Sequence, residues 1–225
     1  MRRILTAFLL IFLLSRPAAA APAYLALTFD DGPSGTITGR LLEGLAERNV
    51  QATFLLCGYR MELYPEVTAA IAAGGHEIGL HGYSHKNLAN LSRRQIAGEL
   101  AKTQALVPEG CRVKFLRPPG GADNEAIRQI AEARGLALLH WSVDPRDWAT
   151  QDSAAVVERV VASARDGDVI LLHDMSHSSV TAALEIIDRL TLEGYQFVTV
   201  SELAKLRNLR PEPGQRYESF PQTEH

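Results

Sequence analysis

Seven short runs of apolar and β-branched residues recur along the chain, and most of them are bounded by Gly, Pro or Asn. Runs of this kind predict β-strands. The predicted strands are Tyr24–Phe29, Ala52–Cys57, Glu77–His81, Val113–Arg117, Ala137–Trp141, Asp168–His173 and Gln196–Thr199.

Segments with helical spacing of apolar residues lie between these strands. They are Ile37–Arg48, Val67–Ala73, Arg93–Leu106, Asn124–Arg134, Ser153–Ala164 and Ala182–Leu192. Ser92, with Gln95 three residues on, is typical of a capping box. Alternating strands and helices predict an α/β domain over residues 24–205, a distorted (β/α)7 barrel with parallel strands and outer helices. An open doubly wound sheet is the alternative, but the first β–α turn lacks the Gly-rich dinucleotide fingerprint.

The two ends of the chain differ from this pattern. Residues 1–20 combine a basic start, an eleven-residue apolar run and an Ala-rich stretch, which is typical of a secretory signal peptide. The run is shorter than the ~20 residues of a membrane span. We therefore expect a secreted or periplasmic protein with no stable membrane span after cleavage. Residues 208–225 are polar and contain Pro, which predicts a mobile tail.

Composition narrows the range of partners. The chain is 46% hydrophobic and 22% charged, as in ordinary globular proteins, and its net charge of −3 gives no electrostatic reason to bind nucleic acid. Cys57 follows one predicted strand and Cys111 precedes another, so they belong at opposite edges of a parallel sheet, beyond the reach of a disulfide. We expect two free thiols and a monomer.

Polar residues follow the predicted strands with unusual regularity. In parallel barrels these strand ends meet at one mouth, where functional residues gather. A single Asp or His there is usually a cap or a turn residue, but five such ends together indicate a functional site. The residues are Asp30 and Asp31 after the first strand, His81 after the third, Arg117 after the fourth, Asp144, Asp147 and Trp148 after the fifth, and His173 and Asp174 after the sixth.

The stretch "HGYSH" places His81 and His85 four residues apart. On a helical turn, this spacing brings both imidazoles to one face, close enough to share a metal ion. One carboxylate would complete a His₂-carboxylate site, which leaves positions open for water and substrate. The adjacent carboxylates Asp30 and Asp31 then have different tasks. Asp31 binds the cation, and Asp30 acts as a base toward a water whose pKa the cation lowers toward ~7.

Five stretches together resemble the ordered motifs of the polysaccharide deacetylases of carbohydrate esterase family 4, whose shared unit is the NodB homology domain. They are "TFDDGP" (28–33), "HGYSH" (81–85), "RPPGG" (117–121), "DPRDW" (144–148) and "LLHD" (171–174). The resemblance covers about residues 24–205. It implies a distorted barrel of about seven strands that hydrolyses N-acetyl amides, or sometimes O-acetyl esters, of sugar polymers with Zn²⁺ or another divalent cation such as Co²⁺ or Ni²⁺.

The resemblance also implies roles for individual residues. Asp31, His81 and His85 would hold the metal. Asp30 would be the general base, oriented and kept ionised by Arg117, and His173 would be the general acid that protonates the leaving amine. Asp147 would pair with His173, and Asp144 could share or take that role. For substrate binding, Trp148 and Leu171 resemble the walls of the acetyl pocket, and the backbone N–H of Gly120 would stabilise the oxyanion.

Two positions depart from the family pattern. Gly120 stands where members usually carry an aromatic residue, so one wall of the groove is absent. Gly82 replaces a usual Ser or Thr between the two histidines, which removes a hydrogen bond near the metal.

The resulting hypothesis is an exported, metal-dependent N-deacetylase of a GlcNAc-containing polysaccharide. Peptidoglycan is favoured, chitooligosaccharide comes next, and acetylated xylan or an exopolysaccharide follows. The alternative is a catalytically idle carbohydrate-binding protein on the same barrel. Binding alone does not require Asp30, Arg117 and His173 beside three metal ligands. A structural zinc site fits poorly because such sites are rich in Cys, and this chain has two.

Overall fold

The structure is a computed structural model that describes residues 22–222. Strands and helices alternate along this part of the chain. The strands are β1 Ala23–Asp30, β2 Thr53–Leu56, β3 Glu77–Leu80, β4 Phe115–Leu116, β5 Ala137–Leu139, β6 Val169–His173, β7 Tyr195–Phe197 and β8 Arg216–Tyr217. The helices are α1 Thr36–Glu47, α2 Gly58–Leu63, α3 Pro65–Ala73, α4 Arg93–Gln104, α5 Glu125–Ala133, α6 Ser153–Ser163, α7 His177–Leu192 and α8 Val200–Leu206.

The strands form one curled parallel sheet in the order β6-β1-β2-β3-β4-β5-β8, with β7 paired to the first residues of β1. Isolated bridges close the curl, because Val143 pairs with Ile170 of β6 and Ser219 pairs with Asp168, the residue before β6. The predicted distorted barrel is confirmed, and all seven predicted strands are present. The first is one residue longer at each end than predicted, the seventh begins one residue earlier and ends two residues earlier, and the other five are shorter.

Alternation along β1 decides which side chains enter the barrel. Leu25, Leu27 and Phe29 pack outward in the core beneath the helices, whereas Ala26 belongs to the cluster inside the barrel. Thr28 and Asp30 share the inward face with Ala26. The carboxylate of Asp30 therefore lies inside the barrel at its mouth, and the exposed fraction of Asp30 is 3%.

The C-terminal segment is packed against the barrel, which corrects the prediction of a mobile tail for residues 208–222; residues 223–225 lie outside the described residues. Its strand β8 pairs with β5, and Phe220 is fully buried with its ring 5.5 Å from that of Tyr217. These two aromatic side chains contribute to the core inside the barrel. The polar average composition of this segment conceals these two aromatic residues in the sequence. Because they pack inside the barrel, the packed domain extends beyond residue 205.

Other differences are local. Helices α2 and α8 were not predicted, and α7 begins five residues before its predicted start at Ala182, capped by the Ser176 hydroxyl. Both cysteines are free, as predicted, and Cys57 is buried. The predicted signal peptide, residues 1–20, lies outside the described residues. Among residues 22–222, no helix has the length and apolar character needed to cross a membrane.

Candidate active site

The mouth of the barrel collects the polar residues that follow the strands. Asp30 is the last residue of β1 and is in register with His173, the last residue of β6. His81 and Arg117 are the first residues after β3 and β4, and their N–H groups continue the sheet by donating to the carbonyls of Leu56 and Leu80. Sheet pairing therefore brings these four side chains to one edge.

Asp31, His81 and His85 form a compact cluster of potential metal ligands. Oδ1 of Asp31 lies 3.2 Å from Nε2 of His81 and 2.9 Å from Nε2 of His85. Asp31 adopts a left-handed backbone conformation, with φ 73°, which turns its side chain away from the path of β1.

The orientation of these groups fits a bound cation. Nδ1 of His81 lies 2.7 Å from the carbonyl oxygen of Arg117, which only accepts, so Nδ1 donates and Nε2 keeps the lone pair that faces Asp31. Oδ1 of Asp31 is buried and has no hydrogen-bond partner among the described residues. One carboxylate oxygen and two imidazole nitrogens that converge in this way are a donor set suited to a transition metal.

Asp30 is held from below by Arg117, which is fully buried. Nη1 of Arg117 donates to Oδ1 of Asp30 at 2.6 Å and to the hydroxyl of Thr28 at 2.9 Å. The rest of the guanidinium donates to the carbonyl oxygens of Leu139 and His140. The other oxygen of Asp30 lies 3.7 Å from Nε2 of His81, so this carboxylate borders the ligand cluster.

His173 ends β6, the strand next to β1, and is held by Asp147. Nδ1 of His173 lies 2.8 Å from one carboxylate oxygen of Asp147, and the backbone N–H of His173 donates to the other at 2.8 Å. Burial lowers the pKa of His173, but the hydrogen bond and charge of Asp147, together with the charges of Asp30 and Asp31, outweigh burial and raise it to about 9. His173 is therefore an imidazolium at neutral pH.

Asp144 does not take the role that the sequence left open for it, which is to pair with His173. Its side chain is exposed, and the one hydrogen bond recorded for it among the described residues comes from the backbone N–H of Arg146. This bond stabilises the turn before Asp147, where Arg146 adopts φ 56°. Asp144 thus does not share the pairing of Asp147 with His173.

A cavity of about 400 Å³ opens beside His173 and Asp31. Trp148, which is 60% exposed, forms one wall, and hydroxyl groups from the start of α7 line the other side. Leu171 is buried on the inward face of β6, two residues below His173, and is not among the lining residues. Gly120 is exposed in a left-handed turn with φ 66°, and among the described residues no atom other than those of its chain neighbours lies within 4 Å of where its Cβ would be.

Two contributors to this site were not predicted from the sequence. Thr28 bridges Arg117 and the carbonyl oxygen of Ile170, and Glu99 of α4 hydrogen-bonds the loop between the two histidines. Thr28 belongs to the "TFDDGP" stretch, and its inward position follows from strand alternation. Glu99 lies on a helix remote in sequence from the motifs.

Comparisons with known proteins identify similar sequences and a similar fold. A family model described as "Polysaccharide deacetylase" matches residues 18–139. The peptidoglycan-N-acetylmuramic acid deacetylase PdaC of Bacillus subtilis is 38% identical over 188 residues, which are 83% of this chain and 40% of that protein. A peptidoglycan-N-acetylglucosamine deacetylase of Bacillus cereus is 35% identical over 190 residues, which are 82% of this chain and 89% of that protein.

A solved structure of a family 4 acetyl xylan esterase from Clostridium thermocellum, in complex with a cobalt ion, is similar to the fold described above. Its TM-score is 0.82 at 34% sequence identity, and the match covers 88% of this chain and 99% of that one. The chain spans only 40% of the length of PdaC but most of the Bacillus cereus protein. On the family model, these identities and the five motifs, the chain belongs to the polysaccharide deacetylase family.

Proposed function

We propose that the protein is a metal-dependent hydrolase that removes N-acetyl groups from a GlcNAc-containing polysaccharide. The observation that carries this proposal is the placement of two ion pairs beside one ligand cluster. Asp30, held by Arg117, borders the cluster, and His173, held by Asp147, lines the cavity next to Asp31. Amide hydrolysis requires a base for the attacking water and an acid for the departing amine.

Asp31, His81 and His85 would hold a divalent cation, Zn²⁺ or alternatively Co²⁺ or Ni²⁺, in an open His₂-carboxylate site. Bound there, the cation supplies Lewis acidity that activates water and polarises the acetamide carbonyl. The cobalt ion in the related acetyl xylan esterase supports a transition metal at this position.

Asp30 is the proposed general base. Its carboxylate borders the ligand cluster, and Arg117 and Thr28 fix its orientation from inside the barrel. A carboxylate held in this way accepts a proton from the attacking water without first rearranging.

His173 is the proposed general acid. Asp147 keeps its imidazole protonated, and the ring lines the cavity next to Asp31. The amide nitrogen is a poor leaving group until it is protonated, and an imidazolium on this side of the carbonyl supplies that proton. The exposed backbone of Gly120 supports a role for its N–H in stabilising the oxyanion, and Trp148 supports a wall for the acetyl methyl group.

Peptidoglycan is the favoured polymer, and chitooligosaccharide is the next. Two similar proteins are named as peptidoglycan deacetylases, which supports this order. The signal-peptide pattern of residues 1–20 supports a secreted or periplasmic location, where that polymer is accessible. The acetyl xylan esterase with the same fold supports an O-acetyl ester as a second candidate substrate.

The proposal is tested by measuring acetate release from purified peptidoglycan, chitopentaose and acetylated xylan, with zinc-loaded protein and with the Asp30→Asn variant as the blank. We expect zinc-loaded protein to release acetate, fastest from peptidoglycan. Faster release from acetylated xylan would instead assign the O-acetyl ester, and not the N-acetyl amide, as the substrate. No release from any of the three by zinc-loaded protein would favour a carbohydrate-binding protein without activity.

A further inference from the structure

The loop that carries His85 is left-handed at two positions. Gly82 has φ 75° and His85 has φ 56°. A residue with a side chain disfavours this region by roughly 1–2 kcal/mol, so the conformation of His85 needs support from outside the loop. His81 is already fixed by the sheet and by the Arg117 carbonyl oxygen. His85 lies at the far end of the loop, beyond the sheet pairing that fixes His81, and its side chain is half-exposed.

Glu99 accepts three hydrogen bonds from this loop. Its Oε2 accepts from the backbone N–H groups of Tyr83 and Ser84, both at 2.8 Å, and its Oε1 accepts from the Ser84 hydroxyl at 2.8 Å. All three donors lie between the two histidines. Glu99 is not a member of the ligand cluster itself.

The opposite edge of the same loop is held by the start of α2. The backbone N–H groups of Gly58 and Tyr59 donate to the carbonyl oxygens of Gly82 and Tyr83 at 3.0 Å. The loop is therefore clamped on its carbonyl side by main chain and on its N–H side by one side chain. Of these contacts, only the Glu99 side can be altered without changing the backbone.

We infer that Glu99 is the positioning residue that holds His85 in metal-binding geometry. This inference rests on the metal site of the proposed function. Removing the carboxylate frees two backbone N–H groups and one hydroxyl, and the loop then samples conformations in which Nε2 of His85 moves away from Asp31. Partners that orient metal ligands typically change metal affinity by about 10- to 100-fold when they are removed.

The test measures the zinc dissociation constant of metal-free protein by competition with a chromophoric chelator, together with the visible absorption spectrum of the Co²⁺-loaded protein. Glu99→Ala should weaken zinc binding about 10- to 100-fold and change the cobalt spectrum. Glu99→Gln keeps an oxygen for the two N–H groups and should restore both properties. Lys102→Ala is the matched control, because Lys102 is on the same helix and lies over the Tyr83 ring.

Thermal unfolding of the metal-free variants separates positioning from general stability. A folded Glu99→Ala variant with the parent's zinc affinity and cobalt spectrum would overturn the inference, whatever its melting temperature. If that variant does not fold, Ser84→Ala, which removes one of the three bonds, decides in the same way: weaker zinc binding supports the inference, and unchanged binding overturns it. Failure of the parent itself to bind zinc would instead overturn the metal site of the proposed function.

Discussion

Arg117 and Asp30 form an ion pair that is buried inside the mouth of the barrel, with 2.6 Å between Nη1 and Oδ1. Neither residue is more than 3% exposed. Three other N–H groups of Arg117 donate to the carbonyl oxygens of Leu139 and His140 and to the Thr28 hydroxyl. The base of the proposed reaction is thus built into the sheet, so its removal has consequences for stability as well as for turnover.

Replacement of Arg117 by Met should destabilise the fold by roughly 3–5 kcal/mol, because it leaves the Asp30 charge buried without its partner. Adding Asp30→Asn removes that charge, so the double variant should lose less free energy of unfolding than the sum of the two single variants. Urea denaturation of the four proteins measures this coupling. Additive losses would show that the pair is not coupled.

The Asp30→Asn variant should lose ~10²-fold or more in turnover while it keeps its metal, because Asn preserves the shape of the side chain but accepts no proton. Asp31→Asn is the matched comparison, since it changes the neighbouring carboxylate and should lower the zinc content. Acetate release and bound zinc are measured on the same preparations. Normal turnover in the Asp30→Asn variant would exclude Asp30 as the general base.

Turnover should fall as the pH rises through about 9, the value to which Asp147 raises the pKa of His173. The reason is that the proposed acid acts only in its protonated form. Asp147→Asn removes the carboxylate charge, so this fall should move to lower pH. Asp144→Asn should leave it in place, because Asp144 does not contact His173. The profile of kcat/KM against pH checks both variants, and identical profiles for Asp147→Asn and the parent would contradict the assignment.

His76 should make the fold sensitive to acid. Its Nδ1 accepts the backbone N–H of Ala52, and burial lowers its pKa from 6.5 to about 4. The unfolded chain therefore binds a proton before the folded chain does. The stabilising contribution of this group is present above pH 6.5 and is lost as the pH falls toward 4, by up to about 3 kcal/mol.

The control for this effect is His76→Gln, whose side-chain oxygen accepts the same N–H but does not titrate. Denaturation of the metal-free proteins at neutral pH and at about pH 5 gives the change in the free energy of unfolding with pH for the variant and for the parent. We expect a shallower dependence of stability on pH in His76→Gln. Parallel slopes for the variant and the parent would show that His76 is not responsible.

The sequence predicts the strand ends well because the chemistry there is local. A run of apolar residues followed by Asp30 and Asp31, or by His81, identifies both the strand and the residue at its carboxyl end. Sheet pairing then brings these ends together, as in the register between Asp30 and His173. The site follows from strand order and from the parallel direction of the strands.

The remaining features depend on backbone turns and on contacts that are remote in sequence. Asp144 and Asp147 are three residues apart, and the left-handed conformation of Arg146 decides which of them reaches His173. Arg146 is neither Gly nor Asn, so no local signal marks that turn. Phe220 packs into the barrel from a polar segment, which average composition conceals.

In the proposed function, hydrolysis depends on a cation held by Asp31, His81 and His85. To measure this dependence, the protein is stripped with a chelator, Zn²⁺ is restored stepwise, and acetate release from peptidoglycan is followed. We expect almost no acetate from the stripped protein and release that rises with zinc until one ion is bound per chain, in keeping with the single cluster in the described residues. Full acetate release from protein shown to be free of metal would show that hydrolysis does not depend on this cation.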